Sequence, residues 1–232
     1  MAMTAVDMQN VIKKYGSTVA LDSLTLSIPE GQITGVLGPN GAGKSTFFKT
    51  LVGLTRPNQG DITVLGQKPS WKVNRQVAYL ADQCRWYEYH TVREAVEYGH
   101  AVFPDFNMDK AQELVLSLGL ANDASVGSLS KGQKARLQLI LCLARDVQLL
   151  LLDEPFSGID MVSREKIIEG IIQTFSNNKQ TIIISTHEIH QAESLFDQVI
   201  FMDQGRVIMA GEVETLRQER GSIENIYRGL FQ

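Results

Sequence analysis

The chain is short of cysteine. It has two, Cys84 and Cys142, in 232 residues, and they form no C-x-x-C pair. That excludes a disulfide framework and a cysteine-based zinc site, and suits a reduced, cytosolic compartment. A chain of this length buries about 70–75% of its unfolded surface on folding and needs no such staple. Long apolar runs are missing too. The nearest, Leu137 to Leu152, is interrupted by Arg145, Asp146 and Gln148, so the chain is not expected to cross a membrane by itself. Asp7, Lys13 and Lys14 break any signal pattern in the first thirty residues. There is no basic excess: 22 Lys and Arg face 26 Asp and Glu, a formal charge of -4. Bulk charge therefore does not suit a nucleic-acid binder, and no nucleic-acid partner is expected. What remains is ordinary: 44% hydrophobic and 21% charged residues, in a length that fits one large globular domain.

The pattern along the chain alternates strand and helix. Residues 19–28 read as a strand ending at Pro29-Glu30-Gly31, and Gln32 to Leu37 as a short apolar strand ending at glycine. A helix is expected from about Gly43 through Phe47, Phe48 and Leu51. Residues 58–66 suggest a turn and strand, and Val77 to Leu80 another strand. Thr91 and Glu94 have capping-box spacing before a helix to about His100. Asp109 to Leu118 is a second helix, ended by Gly119. Residues 84–140 thus read as a mostly helical insert in a single domain spanning 1–232.

The strand-helix alternation then resumes. Leu149 to Leu152 is all apolar, as buried parallel strands are. Asp160 caps a helix carrying Ile167, Ile168, Ile171 and Ile172. Thr181 to Ser185 is a second buried strand, Glu188 to Phe196 a helix, and Val199 to Met209 a hairpin turning at Gly205. Ile223, Ile226, Tyr227 and Leu230 fall at i, i+3, i+4 and i+7, an amphipathic C-terminal helix.

Three constellations carry chemistry. The first is Gly38-Pro39-Asn40-Gly41-Ala42-Gly43-Lys44-Ser45-Thr46, which matches G-x-x-x-x-G-K-[ST] between a strand and a helix. Its glycines let successive N–H groups point inward, where they and the helix N-terminus hold phosphate oxygens. Lys44 is expected to reach the β- and γ-phosphates and Ser45 to coordinate Mg²⁺. The second is Asp153-Glu154-Pro155 after the apolar strand. A carboxylate there, Asp153, is placed to hold Mg²⁺, and Glu154 to act on attacking water. The third is Ser130-Lys131-Gly132-Gln133 opening a helix. Ser130 and Gln133 again have capping-box spacing, and the helix N-terminus is expected to point free N–H groups, a hydroxyl and Lys131 at an anion.

At this point the chain resembles the nucleotide-binding subunits of ABC transporters. Their L-S-G-G-Q signature stands here as L-S-K-G-Q, residues 129–133. The departure is Lys131, which leaves Ser130 and the backbone N–H available but adds bulk and charge. The resemblance covers nearly the whole chain. It implies an α/β fold: a P-loop NTPase core with an N-terminal antiparallel β-subdomain and a helical subdomain insertion. It implies ATP and Mg²⁺ as cofactors and ATP hydrolysis coupled to transport. Tyr15, before the first strands, matches the family's adenine-stacking aromatic. Gln83 matches the glutamine that senses Mg²⁺ and attacking water. His187 matches the switch histidine, and Ser157-Gly158-Ile159-Asp160 the loop that touches a partner subunit. Glu154, His187 and Gln83 are then the catalytic candidates.

The phosphate loop, Tyr15, Ser130, Gly132 and Gln133 are the nucleotide binders, and Ser45, Gln83 and Asp153 the metal set. The family pairs two such domains, homo- or heterodimeric, with Ser130 of one closing over ATP on the other. A separate transmembrane permease supplies the path, docking near Gln83, Trp86, Tyr87 and Tyr89. That puts the chain on the cytoplasmic face of the membrane. The C-terminal helix leans toward exporter-type subunits. Two readings compete: a soluble ATPase of the same family acting on nucleic acid or in cofactor assembly, and a P-loop kinase of a small metabolite.

Overall fold

The computed structural model describes residues 3–82, 87–178 and 180–231. Its centre is a six-stranded sheet in the order β5-β6-β7-β3-β8-β9. These are β3 (Ile33–Leu37), β5 (Val77–Leu80), β6 (Leu149–Asp153), β7 (Thr181–Thr186), β8 (Gln198–Asp203) and β9 (Arg206–Glu212). The first five run parallel, and β9 returns antiparallel to β8 as a hairpin. A second, antiparallel sheet is ordered β2-β1-β4, from β1 (Thr4–Tyr15), β2 (Thr18–Pro29) and β4 (Gln59–Val64).

Period-two alternation splits the central strands between two cores. Leu149, Leu151, Ile183, Val36 and Ile200 face the small sheet and α1 (Lys44–Leu51). Leu150, Leu152, Ile182 and Ile184 face the opposite side. There they meet α2 (Val92–Val102), α3 (Met108–Ser117), α4 (Lys131–Leu143) and α5 (Met161–Asn178). Both faces being covered explains why β6 and β7 read as unbroken apolar runs.

Parallel register then fixes the site. Leu37 pairs with Thr186, and Asp153 with Ser185. The C-terminal ends of β3, β6 and β7 therefore lie on one edge, where ligands of open α/β sheets bind.

Most elements fall where the sequence places them, and both expected capping boxes form. Thr91 Oγ1 accepts from Glu94 N at 3.2 Å while Glu94 Oε2 accepts from Thr91 N at 2.7 Å. Three expectations need correction. Tyr15 does not precede the first strands: it ends β1, a twelve-residue strand. Pairing register slips between Met8 and Val11 and again at Lys13, and Asn10 sits at φ 51; such bulges erase the alternation that would reveal a strand. The helix expected over Glu188 to Phe196 is a four-residue α6 (Ile189–Ala192) followed by a 3-10 turn over Glu193–Leu195. An unexpected α7 (Val213–Arg220) precedes α8 (Ile223–Phe231). Of its residues only Val213 and Leu216 are buried, too few to give a periodic signal.

Candidate nucleotide site

The loop after β3 wraps back on itself to begin α1. Gly43 caps that helix at φ 101, and a Cβ there would lie 2.5 Å from the Ala20 carbonyl oxygen. Only glycine fits a left-handed position so close to neighbouring backbone. Lys44 is 5% exposed, and its ammonium is turned into the loop. It donates to the carbonyls of Gly38 (2.7 Å) and Pro39 (3.1 Å) and pairs with Glu154 Oε1 at 3.1 Å.

The acidic pair divides as its chemistry demands. Asp153 is 1% exposed. Its Oδ1 accepts from the Ser185 hydroxyl at 2.6 Å, and its buried Oδ2 has no hydrogen-bond partner among the described residues. Burial pushes the Asp153 carboxyl pKa up, against the pull of the neighbouring Ser185 and Ser45 hydroxyls. An orphaned carboxylate oxygen beside a serine hydroxyl is what a hard divalent cation takes as ligands. The residues present therefore fit Mg²⁺. Burial and then the Asp153 charge also raise the Tyr79 phenol on β5.

Glu154 leaves the strand at φ 53, an uncommon angle for a residue with a side chain. Its N–H donates to Ser185 Oγ at 2.8 Å. Its Oε2 lies 2.9 Å from His187 Nδ1. A carboxylate only accepts, so the proton of that contact belongs to Nδ1. One carboxylate thus bridges the phosphate-loop lysine and the histidine after β7.

A cleft of about 530 Å³ follows this edge, with Asn40 to Thr46, Glu154 and His187 in its walls. An adjoining cleft of about 590 Å³ shares Asp82, Glu154 and Ser157 with it and reaches Lys131. Tyr15 lines neither. It is 48% exposed, with Lys13 Nζ 4.8 Å from the ring centroid. Gln83 lies outside the described residues.

Ser130, Gly132 and Gln133 line neither cleft. Ser130 Oγ accepts from Gln133 N at 3.2 Å, and Gln133 Oε1 accepts from Ser130 N at 2.8 Å. The N-terminus of α4, with Ser130 and Lys131, is on the surface. Gly132 has a packing reason: a Cβ there would meet Ser163 Oγ at 2.4 Å, at the cap of α5. Lys131 lies over Gly158 of the loop after β6. Sequence reasoning missed Ser185 and Asp82. Ser185 had a faint signal, a hydroxyl directly after the apolar run Ile182 to Ile184 of a buried strand; Asp82 had none.

The ABC transporter family model matches residues 21–157, from β2 through the phosphate loop and α4 to Ser157. The chain belongs to the ABC transporter family. It is 34% identical over 228 residues to the Nod factor export ATP-binding protein I of Rhizobium sp. (strain N33), covering 94% of this chain and 74% of that one. It is 29% identical over 215 residues to the probable sulfate/thiosulfate import ATP-binding protein CysA of Chlorella vulgaris, covering 90% of this chain and 91% of that one. Among solved structures, the ATP-binding subunit of an ABC transporter superposes with a TM-score of 0.85 at 24% identity, over 98% of this chain and 99% of that one. The fold is that of an ABC ATPase. This ABC subunit binds and hydrolyses ATP to power transport through a separate membrane subunit. No helix among the described residues is long and apolar enough to cross a membrane.

Proposed function

We propose that this ABC subunit works as one half of a pair, with ATP and Mg²⁺ held on the phosphate loop of one copy and closed over by Ser130 of the other. The observation that carries this is the separation within one chain. Lys44, Asp153, Glu154 and His187 share one edge, while Ser130 stands exposed at the N-terminus of α4 and lines neither cleft. Asp153 and Ser45 would hold the metal, which would supply charge neutralisation at the phosphates. Glu154 takes the proton of the attacking water, and His187, whose Nδ1 donates to Glu154, contacts the γ-phosphate. Co-purification from detergent-solubilised membranes tests the assembly. Recovery of a multi-span protein with ATPase activity supports it, and a chain recovered without any membrane protein counts against it.

Export is the favoured direction. Identity is higher to the Nod factor export protein than to the sulfate/thiosulfate import protein, and α8 is the short C-terminal helix expected of exporter-type subunits. The chain then sits on the cytoplasmic face of the membrane. Tyr87 and Tyr89 are 49% and 77% exposed, with ring centroids 5.6 Å apart. Such a paired aromatic surface suits a permease contact. Trp86, assigned to the same patch, lies outside the described residues.

Two substitutions probe the nucleotide contacts. Tyr15→Ala weakens ATP binding in a calorimetric titration, and Tyr15→Phe does not, because the ring face supplies the contact. The hydroxyl makes only a 3.4 Å contact with Thr55. Equal loss in both variants points to a structural hydroxyl instead. Lys131→Gly keeps ATPase activity within roughly tenfold, under about 1.4 kcal/mol. The capped N-terminus of α4 persists without that side chain, since Ser130 and Gln133 make the cap. A loss of several orders of magnitude makes the lysine charge part of the mechanism.

A further inference from the structure

We propose that Glu193 is a positioning residue for hydrolysis, holding the segment that carries His187 in place by anchoring it to the C-terminal helices. The proposal rests on the roles of His187 and Glu154 given above. His187 stands between β7 and α6. A four-residue helix and a 3-10 turn have no stability of their own, because nucleation costs more than so few hydrogen bonds return. The position of His187 therefore depends on what grips the residues behind it.

Glu193 provides the polar grip. Its Oε1 accepts from Arg217 Nε of α7 at 3.0 Å and from the backbone N–H of Ile223 at 3.2 Å. Ile223 opens α8, so its N–H is one that the helix itself leaves unpaired. A carboxylate there also complements the helix dipole. The side chain is 14% exposed, which strengthens both contacts. Around it Ile189, Ala192 and Leu195 are buried in the same core as Val213, Leu216, Ile223 and Ile226. At the near end Glu188 pairs with Arg164 of α5. The segment after His187 is thus clamped by α5 on one side and by α7 and α8 on the other. If the clamp loosens, the 2.9 Å contact between His187 and Glu154 is the first to lengthen.

The test is a double-mutant cycle on the full chain, read by steady-state phosphate release. Glu193→Ala lowers kcat roughly tenfold, the scale of a small misplacement near the chemistry. KM for ATP stays within about twofold, because the phosphate loop is untouched. Glu193→Gln keeps an oxygen acceptor for both donors and recovers most of the rate. Added to His187→Ala, Glu193→Ala costs little more. Full additivity in the cycle, or an unchanged kcat in a folded Glu193→Ala, overturns the proposal. An unchanged rate in His187→Ala alone sinks the reading of His187 itself, a distinguishable failure. If Glu193→Ala does not fold, Arg217→Met carries the same cycle: non-additivity with His187→Ala supports the clamp, and full additivity overturns it.

Discussion

Glu154→Gln is expected to bind Mg-ATP normally, hydrolyse it very slowly and accumulate as an ATP-dependent dimer. Gln fits the same space and keeps an oxygen for His187 Nδ1, 2.9 Å away. It has a Cβ as Glu does, so the φ of 53 adds no new strain. What is lost is the basic oxygen. A positioned general base is worth about 10²–10⁴ in rate, roughly 3–5 kcal/mol. Binding survives because Lys44 retains its loop and Asp153 its Ser185 hydrogen bond. Size-exclusion chromatography with and without Mg-ATP, together with a phosphate-release assay, reads both halves. Near wild-type hydrolysis removes Glu154 from its role. Slow hydrolysis without a dimer leaves the chemistry standing and counts against closure of the site by Ser130 of a second copy.

The elements that build this site were legible because each obeys one strong rule. β6 and β7 are apolar runs of strand length, and the phosphate loop has a fixed spacing in a strand-loop-helix context. The capping boxes at Thr91 and Ser130 are local, so a four-residue window contains all of their physics. What stayed hidden was non-local or irregular. The bulged β1 violates alternation at Met8 to Val11. Ser185 matters only through its register opposite Asp153, which no window around residue 185 contains. The break of the expected Glu188 to Phe196 helix follows from its anchors at Arg164, Arg217 and Ile223, all distant in sequence. The pairing of Lys44 with Glu154 is of the same kind, and it bears on what the lysine does before nucleotide arrives.

Lys44→Ala is expected to lose both ATP affinity and resting stability. In the wild type the ammonium is shared among Gly38 O, Pro39 O and Glu154 Oε1, and it is nearly inaccessible to water. On the proposed phosphate role, incoming phosphates, which carry more charge than those carbonyls, are expected to draw the lysine away from Glu154 and free Oε1. Without the lysine, each missing charge-assisted hydrogen bond to phosphate costs about 1.5–3 kcal/mol. Two such bonds fewer weaken binding by about 10² to 10⁴, and turnover goes with them. The second effect needs no nucleotide. Glu154, 10% exposed at its side chain, keeps its contact with His187 Nδ1 but loses its lysine counter-ion. Removing one member of a buried pair typically costs about 3–5 kcal/mol, so the melting temperature falls in nucleotide-free buffer. Calorimetric titration and thermal melting separate the two effects. Unchanged affinity with a lowered melting temperature makes Lys44 a counter-ion for Glu154 and overturns its phosphate role. Lost affinity with an unchanged melting temperature shows that the resting pair contributes nothing, and that ATP has no latch to release.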